Sequence, residues 1–405
     1  MVRICVIGGG SAGEEAAFEA DHRGAEVTLI ERRPDRDPPW RSWPELISQS
    51  PAKRGLFSGR GKSSRSVLTT DAKSASPGFV ALSNGDRLRF DSIIVATGSR
   101  FKQASLPGAV KQGVFILDGP EKYEELGRAR PSIDKVVVVG EGYRGLEVAD
   151  RLCGLGAEVL LMISCWQYEA PAEIVVDVIE DAAGERGIEI KRGVVSKVVG
   201  NGRVEAVVAG GSVIPCDTVV VAPLRIPNPV RSSLRLGHMG AVEVDGAMRT
   251  SEPSMFAAGG CAELKGSLFA SGTLTSEPSL TGRIAGSNSA GSTHSIGGER
   301  IDELRVFGLG WSRIGRRGAP RKCWNKAETV SRRWGHASAC VITHERFSER
   351  VVGVESIQPS SSSPAGLPPL APGVTLGALA YGLGLSDISQ ISETARLGLR
   401  DWPKS

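Results

Sequence analysis

Residues 2–31 read VRICVIGGGSAGEEAAFEADHRGAEVTLIE, and the order of apolar and small residues in this stretch predicts strand, glycine turn, helix and strand. Its opening run, VRICVI, is short, apolar and β-branched, which is typical of a buried parallel strand. Gly8, Gly10 and Gly13 follow with the spacing G-x-G-x-x-G, and Glu31 ends the second strand. Such glycines permit a tight turn, close approach of backbone to a pyrophosphate and close helix packing. The unit therefore predicts a dinucleotide site, at which helical N–H groups bind the pyrophosphate and Glu31 binds a ribose.

Length and composition limit the classes of protein. The chain has 405 residues, 40% of them apolar, which is enough for two to three domains with large cores. The 49 basic residues exceed the 45 acidic ones by only four, and 5% of residues are aromatic, so we expect no nucleic-acid partner. No apolar run approaches the roughly 18 residues of a membrane span, and the first strand starts at residue 2. We therefore expect a cytoplasmic protein with no membrane span and no signal peptide.

Seven cysteines are scattered along the chain without a C-x-x-C motif or any zinc-binding spacing. This pattern predicts no metal site. An odd number of cysteines in a cytosolic setting indicates reduced thiols, most of which act as small core residues.

Residues 135–164 repeat the first unit and read KVVVVGEGYRGLEVADRLCGLGAEVLLMIS. The glycines at the same spacing are Gly140, Gly142 and Gly145. When GAEVTLIE is aligned with GAEVLLMI, Ile163 takes the position of Glu31. Only Ser164 and Gln167 are polar there, so neither a carboxylate for a ribose nor an arginine for a 2′-phosphate is at hand. The repeat predicts a second nucleotide site, and the choice between NADH and NADPH stays open.

Two later segments are expected to lie beside the first unit. DSIIVATGSR, at 91–100, and SMFAAGGCAE, at 254–263, each carry a buried strand into small residues that let the chain pass close to a bulky group. These small residues are Ala96, Thr97, Gly98, Gly259 and Gly260. A helix predicted from about Leu280 to Ser289 starts with Thr281, and its N-terminal dipole favours an electron-rich group.

Other segments are less specific. Short strands at 67–70 and 79–82 predict a small antiparallel insertion, turned by Asn84-Gly85. Residues 53–65 carry basic side chains and no acid, which fits either a solvated loop or a lid that contacts an anion. Beyond a Ser/Gly-rich link, strands are predicted near 304–307, 339–343 and 351–357, with a helical end from about Val374.

With these motifs in this order, the chain resembles the FAD-dependent pyridine nucleotide-disulfide oxidoreductases. Within them it is most similar to the NADH oxidases, NADH peroxidases and coenzyme A-disulfide reductases. The resemblance implies an α/β fold, with two Rossmann-like three-layer dinucleotide-binding domains and a C-terminal α+β dimerisation domain. It implies an FAD-binding domain at 1–110 and 230–295, an NAD(P)H-binding domain at 111–229, and a homodimer formed through 300–405.

The resemblance also implies that NADH or NADPH, as co-substrate, passes a hydride to flavin N5. The implied FAD contacts are Gly8, Gly10, Ser11, Ala12, Gly13, Glu31, Arg32, Ala96, Thr97, Gly98, Gly259, Gly260 and Thr281. Those for the nicotinamide nucleotide are Gly140, Gly142, Gly145 and Ser164. Tyr143 would lie over the flavin face where nicotinamide enters, and Glu147 would lie on the nicotinamide side. Plain packing for Tyr143 and a solvent-facing carboxylate for Glu147 remain open alternatives.

Two departures from the family bear on mechanism. The family's redox cysteine follows the first acid by about ten residues, but here that stretch contains Trp40, Arg41, Ser42 and Trp43 and no sulfur. A thiolate nucleophile is therefore missing at that position. Gly260 stands where the family has an aspartate that bonds the flavin ribityl chain, a loss worth about 1.5–3 kcal/mol.

The sequence thus predicts an FAD-dependent NAD(P)H oxidoreductase without a cysteine redox centre. Its electron acceptor is oxygen, a quinone-like small molecule or a partner protein. One alternative is a disulfide, polysulfide or coenzyme A-disulfide reductase with a relocated cysteine, Cys165 or Cys261. The other is a dimeric paralogue that kept the fold and lost redox function.

Overall fold

The computed structural model describes residues 1–32, 66–102, 105–140, 142–164, 171–237, 240–265, 278–296, 301–315, 327–334, 336–345 and 351–359. The chain divides into two compact units. Unit 1 comprises Met1–Gln103, Asp118–Arg128 and Leu224–Gly297, and unit 2 comprises Ala104–Leu117, Ala129–Pro223 and Gly298–Ser405.

The helices and strands follow in chain order. As far as residue 102 they are β1 (Arg3–Ile7), α1 (Ser11–His22), β2 (Glu26–Ile30), β3 (Ser66–Leu68), β4 (Ala72–Ser76), β5 (Phe79–Leu82), β6 (Arg87–Arg89), β7 (Ser92–Val95) and β8 (Ser99–Phe101). From 105 to 237 they are β9 (Val114–Ile116), α2 (Pro120–Ala129), β10 (Lys135–Gly140), α3 (Tyr143–Gly154), β11 (Glu158–Ile163), α4 (Glu173–Glu185), β12 (Glu189–Arg192), β13 (Val195–Val199), β14 (Ala206–Ala209), β15 (Ser212–Pro215), β16 (Thr218–Ala222) and β17 (Arg225–Pro227). From 240 onward they are β18 (Val242–Val244), β19 (Met255–Ala257), β20 (Ala262–Leu264), α5 (Pro278–Ser289), β21 (Ile301–Val306), β22 (Leu309–Gly315), β23 (Ala327–Trp334), β24 (Ser338–Glu345) and β25 (Val351–Pro359).

Unit 1 is built on a parallel sheet in the order β19-β7-β1-β2-β3. Its central strands β1 and β7 are mostly aliphatic and are buried except for Arg3, as parallel strands covered on both faces are. Helices α1 and α5 pack against each other beside it. Both helices start at the carboxyl edge of the sheet, which is where ligands bind in this architecture.

Unit 2 repeats this arrangement with the order β12-β11-β10-β16-β9, again all parallel. The strand before each glycine turn, β1 or β10, is central; the next two strands lie on one side of it, and β7 or β16 lies on the other. A three-stranded antiparallel sheet precedes β7 and β16, namely β4-β5-β6 in unit 1 and β13-β14-β15 in unit 2. The internal repeat seen in the sequence is therefore a repeat of topology.

A third sheet, β21-β22-β25-β24-β23, is antiparallel and belongs to unit 2. It packs on α3 and α4. Strand β22 escaped prediction because Leu309, Trp311 and Arg313 all lie on its buried side, and a charged residue breaks the expected apolar alternation. The role of this region in dimerisation stays a prediction, and the helical end from Val374 lies outside the described residues.

One strand prediction was wrong. Residues 66–68 do not belong to the antiparallel insertion but pair in parallel with β2, as the edge of the first sheet. Short, half-exposed edge strands carry too little pattern to identify their partner. The insertion consists of β4, β5 and β6, and Asn84-Gly85 lies in its second turn as predicted. Within the described ranges, no helix is long and apolar enough to cross a bilayer.

Candidate functional site

The first glycine turn brings the end of β1 against the start of α1. The Gly8 N–H donates to the Ile30 carbonyl at 2.8 Å, which ties the turn to β2. A Cβ added at Gly13 would overlap the Gly8 carbonyl oxygen, so only glycine allows the helix to start this close to the strand. The first N–H groups of α1 have no intrahelical acceptors, which makes this end of the helix suitable for an anion.

Glu31 lies beside this turn. It follows Ile30, the residue of β2 that pairs with Ile7 of β1. Its carboxylate accepts a hydrogen bond from the Gly9 N–H. The acid and the glycines, separate in the sequence, are thus brought together as a ribose site requires. Arg32, in contrast, is exposed and lies 3.8 Å from the Asp71 carboxylate.

Helix α5 closes the other side of the turn. The Thr281 hydroxyl accepts a hydrogen bond from the Gly259 N–H at 3.0 Å and donates to the Pro278 carbonyl at 3.0 Å. A Cβ at Gly282 would overlap the Ala12 carbonyl oxygen, which places the first turns of α1 and α5 in direct contact. Three of the predicted residues, Ala12, Gly259 and Thr281, therefore meet at one place.

The segment after β7 completes this edge. The Ala96 N–H donates to the Ile7 carbonyl at 2.8 Å, and a Cβ at Gly8 would overlap the Ala96 carbonyl oxygen. Gly98 has φ +67°, which favours glycine, and its carbonyl accepts from the Asn228 N–H at 3.0 Å. A Cβ at Gly260 would lie 3.3 Å from the Ser99 hydroxyl oxygen. Small residues thus line the edge on which two helix N-termini and an acid converge, and this set fits a dinucleotide such as FAD.

The second glycine turn follows the same backbone path as the first, but different residues lie beside it. Gly140 pairs with Ile163, so the sheet register places buried Ile163 where the first unit has Glu31. Gly142 precedes α3 with φ +66°, and a Cβ at Gly145 would lie 3.0 Å from the Gly140 Cα. Ser164 is exposed immediately after β11. The three glycines come together as predicted, without an acid at the end of the second strand.

Tyr143 and Glu147 both lie on α3. Tyr143 is buried, and its ring stacks on Trp311 of β22, with ring centroids 5.0 Å apart. Glu147 is half-buried, and burial raises the pKa of its carboxyl to about 7, against the opposing attraction of Arg144 and Arg151. Their roles beside nicotinamide and flavin stay predictions. Trp311 is far from Tyr143 in sequence, and no motif pointed to it.

The buried cysteines Cys261 and Cys216 are poor nucleophiles. Cys261 is fully buried, and its thiol donates to the Val95 and Ala258 carbonyls at 3.3 and 3.4 Å. Burial raises the pKa of Cys261, and it raises that of Cys216 to about 11. Cys165 and the stretch from Trp40 to Trp43 lie outside the described residues. In the part of the chain that the structure describes, no three metal-binding side chains gather.

Comparison with known proteins decides the family. The model of the pyridine nucleotide-disulphide oxidoreductase family matches residues 2–282, which include both glycine turns. The chain belongs to this family. The resemblance predicted from the motifs is confirmed.

Three similar proteins carry different names and cover different shares of the chain. A probable ferredoxin reductase from Castellaniella defragrans is 29% identical over 282 residues, which cover 64% of this chain and 67% of the relative. The rubredoxin-NAD(+) reductase of Pseudomonas putida is 29% identical over 290 residues, covering 66% of this chain and 73% of the relative. An NADH oxidase from Methanocaldococcus jannaschii is 32% identical over 229 residues, covering 51% of this chain and 49% of the relative.

Solved structures share the fold. An NAD-dependent persulfide reductase from A. fulgidus superposes with a TM-score of 0.77 at 23% identity, over 98% of this chain and 84% of that one. Putidaredoxin reductase, solved as a covalent complex with putidaredoxin, gives 0.72 at 19% identity over 98% and 99% of the two chains. The predicted α/β fold with Rossmann-like parallel sheets is confirmed.

As a member of this family, the chain is an NAD(P)H-dependent flavoprotein oxidoreductase, with FAD as cofactor and NAD(P)H as co-substrate. The predictions of enzyme class and of both cofactors are confirmed. The alternative of a scaffold without redox function does not fit these relatives.

Proposed function

We propose that this enzyme transfers electrons from NAD(P)H through FAD to a small electron-carrier protein and uses no cysteine redox centre. The observation that carries the proposal is that neither the position after Glu31 nor Cys261 offers a reactive thiol. The sequence has no cysteine between Cys5 and Cys153, and the Cys261 thiol is buried and bound to two carbonyls. Relatives named as ferredoxin and rubredoxin reductases support a protein acceptor.

In this proposal the first glycine turn holds FAD and the second holds NAD(P)H. When bound there, FAD would supply hydride-accepting and single-electron-donating chemistry, which suits a carrier protein. The turn from Gly8 to Gly13 would direct the start of α1 at the pyrophosphate, and Glu31 would accept from the ribose hydroxyls. On the nicotinamide side, Glu147 is poised near neutral pH to exchange a proton.

The proposed boundaries remain those drawn from the sequence, with FAD bound by 1–110 and 230–295 and NAD(P)H by 111–229. We propose a cytoplasmic homodimer formed through 300–405. A small-molecule acceptor, either oxygen or a quinone, is the competing choice for the same site.

An anaerobic titration tests the assignment. We expect NADH or NADPH to bleach the flavin absorption band of the purified protein, and the bleached protein to reduce a ferredoxin or a rubredoxin. Turnover with these carriers should exceed turnover with oxygen, menadione or coenzyme A disulfide by at least tenfold. A protein that no nucleotide bleaches, or one that turns over disulfide faster than carrier, would overturn the proposal.

Serine substitutions separate it from a disulfide reductase. We expect Cys261→Ser to retain carrier reduction within about twofold, since a serine hydroxyl can donate to the same carbonyls. Cys165→Ser should retain it as well, because the proposed function uses no cysteine. Cys216→Ser, also buried but in unit 2, is the matched control for the cost of a buried hydroxyl. Selective loss of disulfide turnover in Cys261→Ser or Cys165→Ser, with Cys216→Ser unaffected, would establish the relocated-cysteine alternative.

A further inference from the structure

The C-terminal sheet touches the second glycine turn through one aromatic pair. Tyr143 is the first residue of α3 and directly follows Gly142, whose φ is +66°. Its ring stacks on the indole of Trp311, with centroids 5.0 Å apart and planes at 28°. Both side chains are buried, so this contact occupies the Tyr143 ring.

The indole is itself held on three sides. Its Nε1–H donates to Glu355 Oε1 at 2.9 Å, and the Arg313 guanidinium lies over the ring at 5.2 Å. Glu355 Oε1 also accepts from the Ala172 N–H at 3.0 Å, just before α4. The buried Glu355 carboxylate therefore links the Trp311 indole to the backbone just before α4.

A separate contact fixes the same sheet to the other end of α3. Asp150 accepts from the Phe307 N–H at 3.1 Å, at the turn between β21 and β22. Its second oxygen accepts from Arg186 Nη1 at 2.8 Å. Contacts near both ends of α3 thus hold β22 against this helix.

The start of α3 is closely packed against the second glycine turn. A Cβ at Gly145 would lie 3.0 Å from the Gly140 Cα and 3.1 Å from Leu161 Cδ1, so the turn and helix are in close contact. A movement of the α3 backbone at Tyr143 would therefore be passed on to the glycine turn. The first unit has an acid beside its turn, and the second has a braced aromatic residue instead.

We propose that Trp311 is a positioning residue for NAD(P)H, which holds Tyr143 and thereby the second glycine turn in the geometry that binds the nucleotide. The inference rests on the proposed function in one respect, that NAD(P)H binds at this turn. Trp311 acts through Tyr143 and is not itself a catalytic residue. No other activity of the C-terminal sheet is required.

The first test compares variants of the FAD-loaded full chain. We expect Trp311→Leu to raise KM for NAD(P)H and its Kd by roughly twofold to tenfold, the value of an aromatic stack, with kcat within about twofold. Trp311→Phe keeps a ring against Tyr143 and should recover most of the affinity. Val341→Ala is the matched control, because Val341 is buried in the same sheet on β24, two strands away from β22.

The second test uses the unaltered protein and does not depend on how the variants fold. Amide hydrogen exchange is measured with and without saturating NADH. If Trp311 and Tyr143 act together, NADH slows exchange in β22, at 309–315, as well as at the start of α3. The inference is overturned if NADH slows exchange only in the glycine turn and α3. It is also overturned if Trp311→Leu binds the nucleotide as tightly as Val341→Ala does.

The two failures are distinguishable. If the unaltered protein binds neither NADH nor NADPH, the proposed function fails. If it binds nucleotide and neither measurement involves β22, only the role of Trp311 fails.

Discussion

The two glycine turns follow the same path between parallel strands, yet different neighbours stabilise them. Beside the first turn, Glu31 accepts from the Gly9 N–H, and α5 packs directly against α1. Beside the second, buried Ile163 replaces the acid, and Trp311 covers Tyr143 at the start of the helix. The first turn is enclosed by its own unit's helices, whereas the second is braced by a separate sheet.

This difference teaches that the turn alone does not determine which nucleotide it holds. The glycines permit backbone approach to a pyrophosphate in both places. A carboxylate beside the turn adds hydrogen bonds to a ribose, and only the first turn has one. The following predictions test the contrast.

Replacement of the third glycine should separate the turns most strongly. Gly13→Ala would place a Cβ on the Gly8 carbonyl, so we expect loss of bound FAD and destabilisation of about 3 kcal/mol. Gly145→Ala meets its nearest atom at 3.0 Å and should cost only about 1 kcal/mol, with FAD retained. Visible absorbance and thermal unfolding measure both effects.

Gly154→Ala is the control for these two variants, because a Cβ there meets no described atom within 4 Å. If Gly145→Ala lost FAD as completely as Gly13→Ala, the assignment of FAD to the first turn would be wrong.

The half-buried acid of the second unit should make stability depend on pH. Burial raises the Glu147 pKa from 4.5 to about 7, so between these values the folded protein holds a proton that the unfolded chain has released. Stability therefore falls as pH rises from about 4.5 to 7, by up to about 3 kcal/mol for this group. Glu147→Gln should remove that loss, which raises Tm at pH 8 more than at pH 5.

Glu158→Gln provides the comparison for Glu147, since Glu158 is exposed at the start of β11, with its carboxylate 3.0 Å from Lys135. Equal shifts at pH 5 and pH 8 in Glu147→Gln would show that burial does not perturb this carboxyl.

Removal of the ribose acid should weaken the first turn selectively. Glu31→Gln loses charged hydrogen bonds worth about 1.5–3 kcal/mol, so we expect FAD to dissociate roughly tenfold to a hundredfold more readily. Flavin fluorescence on dilution measures the release, and KM for NAD(P)H should not change. Glu26→Gln is the control, because Glu26 is exposed at the start of β2, the strand that Glu31 follows. An unchanged FAD affinity would remove Glu31 from the site.

The smallest effect should come from Arg32. Because its guanidinium is exposed and lies 3.8 Å from Asp71, Arg32→Ala should change FAD affinity by about fivefold at most. Added salt should reduce this difference further, which titrations at two ionic strengths can measure. A larger loss that salt does not reduce would indicate direct contact with FAD.

Local features of the chain were predictable from the sequence. The strand, glycine turn, helix and strand predicted within residues 2–31 are present as β1, α1 and β2, because apolar periodicity and nearby glycines define them locally. The correspondence of Ile163 with Glu31 was also predictable, and the sheet registers confirm it.

Contacts between distant segments were not predictable. The pairing of β3 with β2 joins strands separated by a long loop, and no local pattern selects that partner. The stack of Trp311 on Tyr143 depends on how a later sheet packs against α3. The sequence did not predict strand β22, because Arg313 is a charged residue at a buried position and interrupts the apolar alternation.

The interrupted path of unit 1 determines the order in which the molecule can be assembled on the ribosome. Strand β7 ends at Val95, but β19, which pairs with it, begins at Met255, after the whole second parallel sheet has been synthesised. Until then the nascent first sheet has an open edge, which is able to pair with other chains. Helix α5, which closes the first turn, is synthesised later still. The first glycine turn, which translation begins first, is therefore incomplete until α5 has been synthesised, and cofactor binding must wait for that helix.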